Sequence, residues 1–210
     1  MPITGKLISE ISPTDIESLI LQQTAEDPFL EFKAELLDPR KPPDRLEADK
    51  ADWVADLVAF ANAQGGHIII GMEADAQERA SQLKPMAGDQ AKRLADTLRD
   101  LAIAHIKPHI VQLEVRSFGI TSAEWIVIAG IPNSQDKPHM SSYNQGTRFT
   151  VRDGSRKRQM AYEEIQKLYG GGRQEQMLAQ FLGQVKSINS RLDSIELQLA
   201  SLEKESRRME

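Results

Sequence analysis

The 210-residue chain contains no cysteine, which excludes a disulfide framework, a thiolate nucleophile and any Cys-ligated zinc site. Aromatic residues make up only 5% of it, too few to expect a base-stacking platform or sequence-specific readout of single strands. Long apolar runs are also missing. The longest, Trp125 to Ile131, has seven residues against the roughly 20 that a helix needs to cross a bilayer. No apolar stretch precedes Glu10, so no secretory signal is expected and a reducing cytoplasm is the expected compartment. The four histidines, His67, His105, His109 and His139, offer no i, i+4 metal-ligand pair on one helix, since the helix predicted to end at Ile106 stops short of His109, and no G-x-S-x-G marks a nucleophile elbow. What is present is ordinary for a soluble domain: 40% hydrophobic and 27% charged residues.

The net charge of −5 conceals an uneven distribution. Residues 1–75 hold 6 basic and 15 acidic side chains, and the remaining 135 hold 20 and 16. Arg148, Arg152, Arg156, Lys157 and Arg158 fall within eleven residues, opposed only by Asp153. An acidic half suits a cation, and a basic strand and turn suits phosphate.

Ser12-Pro13-Thr14 followed by Ile16, Leu19 and Ile20 reads as a capped helix start. From Phe29 to Leu36 the sequence alternates, which predicts a half-buried strand with Glu31, Lys33 and Glu35 on one face. After a Pro-rich turn, a helix is predicted from about Ala48 to Gln64, with Trp53, Leu57, Phe60 and Ala61 on its buried stripe. Gly65-Gly66 stops it, and His67 to Met72 follows as a buried strand. These glycines end a helix and open a strand, the reverse of a phosphate loop, so they read as a helix C-cap with positive φ at Gly65. A further helix spans Asp89 to Ile106. Strands cover His109 to Phe118, Glu124 to Ile131 and Thr147 to Arg152, and a helix from about Ala161 to Tyr169 closes the domain. The expected fold is α+β, a mixed, mostly antiparallel sheet flanked by helices.

Gly170-Gly171-Gly172 opens a flexible hinge over 170–173, separating a domain over 1–169 from a segment over 174–210. In that segment Leu178, Phe181, Val185, Ile188, Leu192, Ile195, Leu199 and Leu202 step alternately by three and four. This is a coiled-coil seam that predicts a homo-oligomer, dimer or tetramer, and Leu at most a positions with Ile at two d positions tilts the preference from dimer toward the higher state.

The stretch Glu26-Asp27-Pro28-Phe29-Leu30-Glu31-Phe32-Lys33 is followed by Phe60-Ala61-Asn62-Ala63-Gln64-Gly65-Gly66 and a strand ending in Gly71. Arg152-Asp153-Gly154-Ser155 comes later, with Glu163-Glu164-Ile165 beyond. Together these resemble the AlbA-type core domain of the Schlafen family. That resemblance implies a nucleic-acid-processing domain, with metal-dependent endoribonucleases on structured RNA such as transfer RNA among its members, and a role in phage defence or stress response. It implies three carboxylates holding Mg²⁺ or Mn²⁺: Glu26, Glu31 and one just past Gly71. Three residues past Gly71 stands Ala74 where the pattern would place Asp, so the third ligand falls to Glu73 or Asp75. RNA is the favoured partner and DNA the alternative.

The residues support this chemistry on their own terms more modestly. Glu31 and Lys33, two apart on a strand, point to the same side, and hard carboxylate oxygens suit Mg²⁺ or Mn²⁺ while Lys33 steadies a phosphate. On alternation alone the same residues read as the solvated face of an edge strand. The basic cluster Arg148, Arg152, Arg156, Lys157 and Arg158 is the candidate nucleic-acid contact. Two other functions fit the sequence: a nucleic-acid-binding module without catalysis, such as a transcriptional regulator, which Ala74 favours, and an oligomeric adaptor for a larger effector.

Overall fold

The computed structural model describes residues 3–143 and 146–170, with residues 182, 186 and 192 beyond them. The chain divides into two units, Met1–Ile165 and Gln166–Glu210. Residues 171–173 of the expected hinge, Gly171 and Gly172 among them, and the heptad seam, Leu192 excepted, lie outside the described residues.

A capped helix α1 (Pro13–Leu21) opens the first unit; Ser12 Oγ accepts from the Asp15 N–H while Asp15 accepts from the Ser12 N–H, satisfying two orphan donors of the first turn. Strand β1 (Leu30–Lys33) leads to the long helix α2 (Pro43–Asn62), and β2 (Gly66–Ile70) returns parallel to β1. The hairpin β3 (Met72–Ala74) and β4 (Ala80–Leu83) precedes helix α3 (Gly88–His105). The remaining elements are β5 (Ile106–Lys107), β6 (Glu114–Gly119), β7 (Trp125–Ile131), β8 (Met140–Ser141), the hairpin β9 (Thr150–Asp153) and β10 (Arg156–Gln159), and α4 (Tyr162–Gly170). The main sheet runs β1-β2-β7-β6, parallel only at β1/β2, so the fold is α+β and mostly antiparallel as expected.

Both faces of this sheet are covered, which is why β2 reads as an unbroken Ile68-Ile69-Ile70 with no polar alternate. Ile68 and Ile70 pack with Trp53, Leu57 and Phe60 of α2 and Leu98 of α3. Ile69 faces the other way, toward Ile16 and Leu19 of α1 and Leu30 and Phe32 of β1. The stripe expected on α2 is thus the buried one. α2 nevertheless starts five residues before the expected Ala48, because Pro42-Pro43 supplies a preset first turn that carries no hydrophobic periodicity.

Gly65 adopts φ +77°, and a Cβ there would stand 2.4 Å from Ile131 O, so the C-cap role expected for it also lets α2 dock against the end of β7. Five short strands escape the sequence pattern. β3/β4 and β5/β8 are too short and too polar to alternate visibly, and β10 is a run of charge that reads as a turn. β1 ends at Lys33 rather than Leu36; there the chain leaves the sheet, and Leu36 joins the α2/α3 core instead of the α1 side.

Candidate functional site

Side-chain direction on a strand places Glu31 and Lys33 together, and Lys33 Nζ lies 2.8 Å from Glu31 Oε1. Helix α2 passes the same end of β1 and contributes Asp52 and Asp56, one helical turn apart on one face. Lys33 Nζ is 2.8 Å from Asp56 Oδ2 and 3.2 Å from Asp52 Oδ2. The third wall is the β9/β10 hairpin. Its register pairs Arg152 with Lys157, so both side chains leave the hairpin on one side, toward α2. Lys157 Nζ ion-pairs with Asp52 and Asp56, and Arg152 ion-pairs with Glu31 while donating to Asp27 O at 2.9 Å. The guanidinium also lies over the Phe60 ring, 4.3 Å from its centroid, and its side chain is 1% exposed.

Three cations and three carboxylates therefore form one continuous network from Arg152 through Glu31, Lys33 and Asp56 to Lys157. Its floor is buried: the Asp56 side chain is 1% exposed and that of Lys33 15%, whereas that of Asp52 is 49% exposed at the mouth. Burial pushes the Asp56 carboxyl up to about 6 against the pull of Lys33 and Lys157. Burial alone would lower Lys33, but the carboxylates of Asp56, Glu31 and Asp52 outweigh it and hold the ammonium above its ordinary value.

A second layer fixes the hairpin on α2. Asn62, which ends the helix, accepts from the His139 N–H at 2.6 Å and donates to His139 O at 2.8 Å and Thr150 O at 2.9 Å. Thr150 Oγ1 donates to Ala55 O at 2.8 Å. Pro108 O can only accept, so His139 carries its proton on Nδ1, and Nε2 accepts from Ser134 Oγ at 2.6 Å. Burial holds His139 below the ordinary imidazole value. His139 is thus a buried scaffold residue.

The expected site residues separate. Glu26 sits beside Glu31, its Oε1 accepting from the Phe32 N–H at 2.9 Å; burial, with the charges of Glu31 and Glu78, raises its carboxyl. Glu73 pairs with Lys84 at 3.1 Å, and Asp75 caps the β3–β4 turn, accepting from the Gln77 and Arg79 N–H groups and from the Arg79 side chain. Neither joins the network. Among the described residues no three His, Asp or Glu side chains are grouped so as to hold a metal ion. Both oxygens of Glu31 face cations, Lys33 and Arg152, and Asp75 is held in its own turn, so Glu26, Glu31 and Asp75 are not brought together as placed. The basic cluster divides as well. Arg152 and Lys157 turn inward, Arg158 pairs with Asp153 and Glu164, and Arg148 and Arg156 stand exposed with no side-chain partner among the described residues. Asp52 and Asp56 are the site residues that the sequence pattern missed; their one signal is the i, i+4 spacing beside a buried stripe.

Comparison with known proteins places these features in context. The family model described as Schlafen, AlbA_2 matches residues 26–161, from Glu26 past the β9/β10 hairpin. No curated protein matches the chain. Among solved structures, the DIP2311 protein from Corynebacterium diphtheriae is similar, with 18% identity and a TM-score of 0.45 over 75% of this chain. The matched part spans 28% of that protein's length. Among the described residues no helix is long and apolar enough to cross a membrane.

Proposed function

The chain belongs to the Schlafen AlbA_2 family and has a nucleic-acid-related function, and from that premise we propose that it binds RNA through phosphate contacts made by the β9/β10 hairpin and the segment before it. One observation carries this reading. Arg148 and Arg156 are exposed and unpaired among the described residues, and Arg156 adjoins Lys157 at the mouth of the buried network. Phosphate contacts position a partner without reading bases, which agrees with a site that offers cations and few aromatics. Structured RNA is the favoured ligand and DNA the comparison. The test is binding of labelled transfer RNA and of single-stranded DNA to the wild type and to Arg148→Gln/Arg156→Gln. A loss of about tenfold or more for the variant supports the reading, and equal affinity removes it.

A second reading, metal-dependent endoribonuclease activity on such RNA, has its own observation. The Asp56 carboxyl, buried beside two ammonium groups and pushed up to about 6, is the kind of perturbed group that active sites contain. Incubating transfer RNA with the protein in Mn²⁺, Mg²⁺ or EDTA, beside Asp56→Asn and Glu31→Ala, separates the two functions. Discrete fragments that need metal and vanish in both variants would establish the nuclease. RNA that is bound yet stays intact leaves a binding module.

A further inference from the structure

Asp52 presents its two carboxylate oxygens to two different ammonium groups: Oδ2 lies 3.2 Å from Lys33 Nζ, and Oδ1 accepts from Lys157 Nζ. A phosphodiester has the same fork, two non-bridging oxygens that share one negative charge. We infer that Lys33 and Lys157 form a phosphodiester-binding site for which the Asp52 carboxylate is a built-in competitor, an inference that rests on the RNA-binding function proposed above.

The members of the network differ in how readily they leave it. Asp56 is sealed, with 1% of its side chain exposed, and it is ion-paired with each lysine independently of Asp52. Glu31 is held from both sides by Lys33 and Arg152. Of the three carboxylates Asp52 alone stands half in water, so its side chain can turn outward to solvent when it gives up its pairs with Lys33 and Lys157. With Asp52 swung out, Lys33 and Lys157 each lose one of their carboxylate partners, and a phosphodiester supplies the single negative charge that Asp52 withdrew. Neither lysine loses its deeper partner in the exchange, so the site stays preorganised and a ligand has to displace only the half-exposed Asp52 carboxylate from its two ammonium partners. Arg156, the next residue along β10, turns to the opposite side of the hairpin, where it meets a neighbouring phosphate of a strand that wraps the hairpin edge.

The experiment compares the wild type with Asp52→Asn, Asp52→Ser, Lys157→Gln and Asp52→Asn/Lys157→Gln. Asp100→Asn, an equal charge change at an exposed position of α3, controls for net charge. The probes are a fluorescein-labelled RNA hairpin and a labelled single-stranded DNA, read by anisotropy, and thermal unfolding verifies that each variant folds. Asp52→Asn and Asp52→Ser are expected to bind RNA about fivefold more tightly, the fold-change that releasing an exposed ion pair gives. Asp100→Asn stays within about twofold of the wild type. The gain disappears in the double variant, which binds like Lys157→Gln. Asp52 variants no tighter than wild type, or a gain that persists without Lys157, would overturn the inference while leaving RNA binding intact. Absence of binding by every protein to either probe would remove both.

Discussion

Removing the Arg152 guanidinium is the most informative single perturbation of the network. Arg152→Met keeps much of the apolar stem but leaves Glu31 with Lys33 as its one cation, and it frees Asp27 O, which Arg152 Nη2 reaches at 2.9 Å. Breaking a buried pair from one side costs about 3–5 kcal/mol, because the remaining charge stays desolvated. For a domain of this size about 2–4 °C of unfolding midpoint accompanies each kcal/mol, so a fall of about 6–20 °C is expected. Circular dichroism melts, with urea titrations to give free energies, measure it. Arg152→Met/Glu31→Gln strands no charge and is expected to be less destabilised than the two single variants added together, with a coupling of about 1–3 kcal/mol. A midpoint that drops by less than about 2 °C, or single-variant costs that simply add, would refute the view that the hairpin docks by pairing Arg152 with Glu31.

Other consequences follow from the buried groups. Asn62→Ala removes three hydrogen bonds and strands the His139 and Thr150 backbone groups, so a loss of about 3 kcal/mol in urea unfolding is expected. Burial also sets the pH response. His67 and His139 are held below the ordinary imidazole value, so the unfolded chain takes up protons first as pH falls through about 6.5, and their contribution to stability drains away toward pH 5. Asp56 acts with the opposite sign: its carboxyl, raised to about 6, takes a proton first in the folded protein, and that contribution is lost as pH rises through about 6. Unfolding midpoints from pH 7.5 to 5 are therefore expected to fall less in His67→Asn and more in Asp56→Asn than in the wild type. Identical slopes for all three proteins would contradict these assignments.

The sequence reveals the scaffold of the site more readily than its chemistry. Alternation around Glu31 and Lys33 already places them on one side of a strand, and the 2.8 Å contact is that geometry. The helix ending in Phe60-Ala61-Asn62 is legible from its stripe, and Gly65 from its place after it. Asp52 and Asp56 are not, because two acids at i, i+4 look like any solvated helix flank until a hairpin distant in sequence docks there. The basic run misleads for the complementary reason. Five cations within eleven residues suggest one surface, but β9 and β10 pair so that Arg152 and Lys157 turn inward and Arg158 meets Glu164. Glu73 and Asp75 lie close in sequence to the strand-ending Gly71, yet the β3–β4 hairpin supplies each with its own cation, Lys84 and Arg79.

The most direct test of RNA binding through phosphates is its salt dependence. Affinity for a labelled RNA hairpin would be measured by anisotropy across 50–300 mM salt, about a sixfold range, for the wild type and Arg148→Gln/Arg156→Gln. Each phosphate contact contributes about 0.7–0.9 to the slope of log affinity against log salt, so losing two lowers it by about 1.4–1.8. A steep linear slope in the wild type that falls by this amount in the variant is expected. Binding indifferent to salt, or a slope the two arginines do not change, would contradict the account.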